Sequence, residues 1–285
     1  MNETVEERAP ATPAGLRGRV APERAVLRID GDDPRGFLQG LATNDMRRLE
    51  RGPVYAALLT PQGKYLFDFI VTPAPEGDGV LLDLAADRAP ALAARLGMYR
   101  LRRKLTIAPA DLQVVQLWGE GWERAPGVLP DPRHPGLGGR VLTAEPEAAL
   151  AGAAQADAQE RLALRVALGV PASGVDLIPE ETFILEAGFE RLNGVDFRKG
   201  CYVGQEIVAR MKHKTQLRKG LARVALEGAA APGAELTTED GRAAGRLGSV
   251  AGNVALAHLR FDRAEGPLRA GAARARLLER LVPGE

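Results

Sequence analysis

The chain carries a single cysteine, set in Arg198-Lys199-Gly200-Cys201-Tyr202-Val203-Gly204-Gln205-Glu206. Two glycines bracket the Cys-Tyr pair and allow a tight or left-handed backbone. The pattern predicts a helix from about Gly204 to Lys212, which places the thiol just ahead of a helix N-terminus. There the helix dipole and the charges of Arg198 and Lys199 would stabilise a thiolate, the nucleophilic and metal-binding form of cysteine. Gln205 and Glu206 fall in the first turn, where such side chains cap free N–H groups. A lone cysteine can equally be a small buried hydrophobe, and both readings stand at this point.

One cysteine excludes an intramolecular disulfide and a Cys-only metal site within one chain. His134 and His258 stand alone without metal-ligand spacing and read as structural. His213 lies between two lysines, and no candidate ligand stands near it in sequence. No stably bound metal is expected. Gly136-Leu137-Gly138-Gly139 reads as a loop, because neither a strand–loop–helix context nor a following Lys-Ser/Thr marks it as a phosphate cradle.

The charge is unevenly spread. The whole chain carries 38 Lys+Arg against 37 Asp+Glu, a net of +1. Residues 198–220 hold Arg198, Lys199, Arg210, Lys212, Lys214, Arg218 and Lys219 against Glu206 alone, a local net of +6, so an anion is expected to be welcome there. Few aromatics interleave with these cations, which argues against single-stranded nucleic acid, and the near-neutral total argues against a dedicated nucleic-acid binder.

The elements that must position this chemistry follow from the 285-residue length, which suits two domains or three small ones. With 33 Gly and 20 Pro the chain is rich in turns. Residues 25–29 read as a strand, and Asp33 followed by Pro34 as a helix start that carries Phe37, Leu38 and Leu41 on one face. Thr43 or Asn44 offers a further cap. Residues 54–60 and 64–71 form a hairpin around Pro61-Gln62-Gly63. Residues 79–84, 104–107 and 112–118 read as strands, and residues 87–101, 179–187 and part of 147–168 as helices. After about residue 215, short strands at close spacing, with a tight turn at Asp240-Gly241, suggest a small barrel or sandwich. The mixture lacks a strict βαβ rhythm, so the class is α+β. The division expected is a loose tail over 1–15, an α+β region of two intertwined subdomains over 16–214, and a C-terminal β-barrel over 215–285. No stretch approaches 18 apolar residues, so no membrane span is expected. The acidic N-terminus reads as neither a secretory signal nor an Arg-rich transit peptide, which makes the cytoplasm the expected compartment.

Lys199-Gly-Cys-Tyr-Val-Gly-Gln-Glu206 resembles the signature of the YgfZ family, folate-binding proteins that support iron–sulfur cluster assembly and repair. That family is related to the T-protein of the glycine cleavage system, a tetrahydrofolate-dependent aminomethyltransferase. Phe37-Leu-Gln-Gly40, Thr43-Asn-Asp45 and Tyr55 through Gln62-Gly63-Lys64 resemble the N-terminal region of both families. The resemblance spans roughly residues 20–280. It implies a T-protein-like multidomain ring with folate in the central opening. It makes Cys201 the functional thiol and Lys199, Gly200, Tyr202, Gly204, Gln205 and Glu206 the residues that shape its turn, with Lys199 stabilising the thiolate. Where the aminomethyltransferase carries two adjacent aspartates, this chain has Phe67 and Asp68. The lost pair weakens the case for aminomethyl transfer, while Asp68 remains able to bind a pterin, with Arg198 and Lys199 as further candidate folate contacts.

The leading expectation is therefore a tetrahydrofolate-binding accessory protein that serves iron–sulfur assembly or client proteins through Cys201. The alternative is an aminomethyltransferase-like one-carbon transfer enzyme that uses Asp68. A third reading is a thiol-redox or interaction module without folate.

Overall fold

The computed structural model describes residues 14–214 and 217–282. Most of the expected tail, and the point where the barrel domain is expected to begin, lie outside these residues. The elements are β1 (Leu16–Val20), β2 (Arg24–Gly31), α1 (Pro34–Gln39), β3 (Val54–Leu59), β4 (Tyr65–Pro73), β5 (Val80–Ala85), α2 (Ala89–Arg100), β6 (Leu105–Pro109), β7 (Gln113–Gly119), β8 (Leu129–Pro130), β9 (Gly139–Thr143), α3 (Pro146–Ala149), β10 (Ala154–Gln155), α4 (Ala158–Ala167) and α5 (Gln205–Lys214). They continue with β11 (Lys219–Glu227), β12 (Glu235–Thr238), β13 (Ala243–Ala251), β14 (Val254–Arg260), β15 (Leu268–Ala270) and β16 (Ala273–Arg280).

One antiparallel sheet runs β3-β4-β5-β2-β6, a second runs β10-β1-β7-β9-β8, and β11-β14-β13-β12-β15-β16 close into a barrel. Strand β1 lies in the second sheet, β2 to β6 build the first, and β7 to β10 complete the second. In the second sheet β1 and β10 pair in parallel. The hairpin β3–β4 is buried along both faces. Val54, Ala56, Leu58, Phe67 and Phe69 join α1 and α2 in one core, whereas Tyr55, Ala57, Leu59, Tyr65 and Ile70 join a second core with Leu185, Phe189 and Leu192. Burial on both faces explains why these strands read as near-continuous apolar runs rather than as alternation.

The second core is closed by the irregular segment between α4 and α5. Its stretch 179–187 carries the spacing of a helix but forms turns. Glu180 adopts φ 65°, its N–H donates to the Tyr65 carbonyl, and the Tyr65 N–H donates to the Thr182 carbonyl. Pairing with the start of β4 overrides the local helical pattern. At the start of α1 the expected cap is present, with the Asp33 carboxylate accepting from Gly36 N–H and Pro34 in the first turn. Thr43 and Asn44 do not cap. That role falls to Asp45, which accepts from Arg47 N–H at the head of a short 3-10 turn. Thr43 and Asn44 are buried braces: the Thr43 hydroxyl donates to the Gly194 carbonyl at 2.6 Å, and Asn44 Nδ2 donates to the carbonyls of Tyr55 and Asn193.

Candidate functional site

Cys201 lies at an exposed tip between two buried anchors. On one side, the Lys199 ammonium donates to the carbonyls of Gln39 (2.7 Å) and Ala42 at the end of α1. On the other, Tyr202 is buried in the second core, with the Lys199 ammonium 5.0 Å from its ring centroid. Upstream, Asp196 N–H donates to the Thr43 carbonyl, and the Asp196 carboxylate accepts from Arg198 N–H and pairs with Arg48. Downstream, Gly204 presses on the β3–β4 turn with φ +84°. The turn is thus fixed from three sides while its tip, Gly200-Cys201, stays open to solvent.

Several expectations for this turn change. Helix α5 begins at Gln205, one residue after the expected start, so the thiol stands four residues ahead of it. Lys199 directs its charge into two backbone carbonyls and acts as an anchor. Burial lowers its pKa to about 8 against the opposing pull of Asp45 and Asp196. Gly204 requires a glycine, but Gly200 has no left-handed φ, and a Cβ there would meet no other atom within 4 Å. Glu206 does not cap; its carboxylate accepts from Arg210 one turn on. Three cations of the basic segment are paired with carboxylates: Arg210 with Glu206, Lys212 with Glu190 and Lys219 with Glu186. Arg198 stands at the edge of the tip, two residues before it.

Asp68 sits elsewhere, in the wall of a central cavity of about 420 Å³. It is 6% exposed. Its two oxygens accept from Tyr55 (3.1 Å) and Tyr65 (2.7 Å), and the Tyr65 hydroxyl also contacts Ser173 Oγ at 2.7 Å. Burial first, and then the Asp68 charge, pushes both phenols well above their ordinary range, so both stay protonated donors. Phe67 points the other way, into the α1–α2 core, so a carboxylate at that position would be buried in hydrocarbon rather than added to this cavity. Arg198 and Lys199, expected beside Asp68 from the sequence, are not in this wall.

The cavity's cations come instead from Arg19, Arg24, Arg133, Arg161 and Arg165, spread over β1, β2, a loop and α4. Arg19 forks onto Glu23, Arg24 binds Asp83, and Arg165 binds Asp176. Asp131 receives both Arg133 nitrogens (2.9 and 2.7 Å) and also Arg140, with Arg161 3.9 Å away. Burial alone would raise the Asp131 pKa, but Arg133 and Arg140 outweigh it and hold the carboxyl well below the usual range. Sequence reading misses these arginines because no motif links them. A second hollow, about 360 Å³, lies between barrel and core. In its wall Glu186 Oε2 stands 3.4 Å from His258 Nε2. His134, the other histidine expected to be structural, accepts from Gly136 N–H. Among the described residues no three His, Cys, Asp or Glu side chains gather as a metal site, and no helix is long and apolar enough to cross a membrane.

Two sheets, a cavity walled by β1, β2, β4, β7 and α4, and a closed C-terminal barrel make up a T-protein-type fold. The structure superposes on glycine cleavage system aminomethyltransferase T from Bartonella henselae with a TM-score of 0.75, over 93% of this chain and 86% of that one, at 15% identity. The α+β class with its C-terminal barrel is thereby shown. Residues 218–279 match the family model described as CAF17, C-terminal beta-barrel domain. The iron-sulfur cluster assembly factor IBA57, mitochondrial, of Mus musculus is 35% identical over 90% of this chain and 80% of its own length. The human protein of the same name is 33% identical over 88% and 79%. The chain belongs to the IBA57 family. Both relatives are named as mitochondrial, so they lend no support to the cytoplasmic expectation.

Proposed function

We propose that this protein is a folate-binding accessory factor in iron–sulfur cluster assembly or repair, acting through Cys201. The observation that carries the reading is the exposed thiol on a turn anchored by buried Lys199 and Tyr202. The names of the relatives support the cluster-assembly half, and the YgfZ-type motif over 199–206 supports the part given to the cysteine. One thiolate cannot hold a cluster alone, since clusters take about four ligands. The cluster is therefore cargo, shared with a partner protein or a small thiol, and an exposed tip is the placement such sharing needs.

The folate half rests on Asp68. Its oxygens already accept from two phenols but keep further lone pairs, and apolar Leu162 and Pro171 stand in the same wall. These residues fit a pterin: Asp68 would accept from its N–H edge while the apolar wall covers its face. When bound, tetrahydrofolate supplies a carrier for a one-carbon unit.

The test is complementation of a deletion strain. Cys201→Ser should fail to restore the cluster-dependent enzyme activities that the wild-type chain restores, and full restoration would remove the thiol from the reading. The folate half is tested by calorimetric titration with tetrahydrofolate under reducing, anaerobic conditions, where Asp68→Asn should weaken binding and Cys201→Ala should not.

The second reading, one-carbon transfer, is favoured by a single feature: Asp68 is held by two hydroxyl donors where a general acid–base group could reach a bound amine. Formation of methylene-tetrahydrofolate from a lipoyl-bound aminomethyl donor tests it, and turnover at background removes it.

A further inference from the structure

Among the described residues, the cations around the central cavity each have a close carboxylate except at a single place. Arg19, Arg24 and Arg165 have theirs at 2.6–3.1 Å, namely Glu23, Asp83 and Asp176. Asp131 is shared among Arg133, Arg140 and Arg161, and Arg161 is the outermost of the three, at 3.9 Å. Its remaining contacts are neutral: Nη1 donates to the Leu137 carbonyl at 2.8 Å, and its guanidinium carbon lies 5.1 Å from the Trp118 ring centroid. Asp68 does not serve it: its contacts are the hydroxyls of Tyr55 and Tyr65, and the carboxylate within 4 Å of Arg161 among the described residues is that of Asp131. Asp87, the other aspartate of the wall, is exposed at the rim.

Arg161 itself is only 6% exposed, yet it lines the cavity. A guanidinium withdrawn from water needs an anion or several acceptors to offset its lost hydration. Arg161 has neither in full. Burial first, and then the neighbouring Arg133, Arg140 and Arg165, draw its pKa down to about 9 against the pull of Asp131. The planar fork suits a carboxylate or phosphate better than any other ligand group.

We propose that the central cavity contains a binding site for one anionic group, a carboxylate or a phosphate, received by the guanidinium of Arg161. The ligand is then bipolar, with N–H donors towards Asp68 and a negative charge towards Arg161. The proposal rests on the folate reading only for the source of the anion, since the glutamate carboxylates of a folate are one source and a phosphorylated metabolite is another.

The experiment uses the full chain and four probes: tetrahydrofolate, tetrahydropterin (which lacks the carboxylates), inorganic phosphate, and chloride at matched ionic strength. Binding is read by calorimetry and by melting temperature. Tetrahydrofolate is expected to bind wild type at least about tenfold more tightly than tetrahydropterin. Arg161→Met should erase that difference without weakening tetrahydropterin, and Arg161→Lys should keep part of it. Saturable, Arg161-dependent stabilisation by phosphate, with neither pterin binding, would keep the anion site, assign it to phosphate and remove the folate reading. Equal binding of both pterins to wild type and Arg161→Met, with no effect of phosphate, would overturn the anion site and leave the folate reading standing. No binding of any probe would overturn both. Should Arg161→Met fail to fold, Arg161→Lys and the wild-type comparison of phosphate with chloride decide.

Discussion

Gly204 and Thr60 touch across the base of the cysteine turn: a Cβ on Gly204 would lie 2.6 Å from the Thr60 carbonyl oxygen. Gly63, in the same hairpin turn, faces back, and a Cβ there would meet Ile207 Cβ at 2.8 Å. The two glycines let the hairpin and the head of α5 approach closely, which seats the turn holding Cys201.

Gly204→Ala is therefore expected to destabilise the protein by about 1–3 kcal/mol, through its left-handed φ and the backbone clash. Gly200→Ala, in open space, should change stability by less than about 0.5 kcal/mol. Urea titrations of the two variants check this, and equal effects would mean that the hairpin contact does not hold the turn.

Cys201→Ala should leave stability within about 0.5 kcal/mol of wild type, because the residue is exposed. In native protein the thiol should react with iodoacetamide at a rate close to that in urea. Protection in the native state would contradict an exposed tip.

Lys199 predicts a pH signature. Its folded pKa of about 8 lies below its ordinary 10.5, so between those values the unfolded chain binds more protons than the folded one. Stability then rises with pH through this window as the buried charge is released, and the charged form opposes folding below about pH 8. Lys199→Met should flatten that rise relative to wild type in melts taken from about pH 7 to 10. Parallel curves for the two proteins would mean that the ammonium is not desolvated.

Asp131→Asn is expected to cost about 3–5 kcal/mol, since it leaves buried guanidiniums without their shared anion. The wild-type carboxyl is depressed, so its contribution is present above the unfolded value of 3.8 and is lost as pH falls through the lower folded value. The variant should lack that portion of the acid-denaturation limb, which far-ultraviolet circular dichroism during acid titration would show.

Much of the scaffold is legible in local chemistry. Asp33-Pro34 marks a helix start, the runs around Pro61-Gln62-Gly63 mark a hairpin, and close-spaced strands after 215 mark a small barrel or sandwich, which the structure resolves as a closed barrel. What local chemistry does not show is where side chains find partners far along the chain. Thr43 and Asn44 resemble caps because a cap needs only a neighbour, whereas their partners include Gly194 and Asn193. Lys199 resembles a thiolate partner because it stands two residues from Cys201, yet its ammonium is held by the end of α1. The 179–187 pattern yields to pairing with Tyr65. The cavity arginines escape notice because charge reading favours clusters in sequence, and these cluster only in space.

The braces of the cysteine turn also set an order of events. Thr43 and Gly194 are 151 positions apart, and Ala42 and Lys199 157. During synthesis the β3–β4 hairpin leaves the ribosome with its Tyr55–Tyr65 face bare until the stretch from Leu185 to Tyr202 follows. Contacts of such separation form slowly, and apolar surface left waiting invites misassembly or chaperone capture. The segment that brings the thiol is the same one that closes this face, so a nascent chain cannot present a seated Cys201 before its N-terminal core is complete.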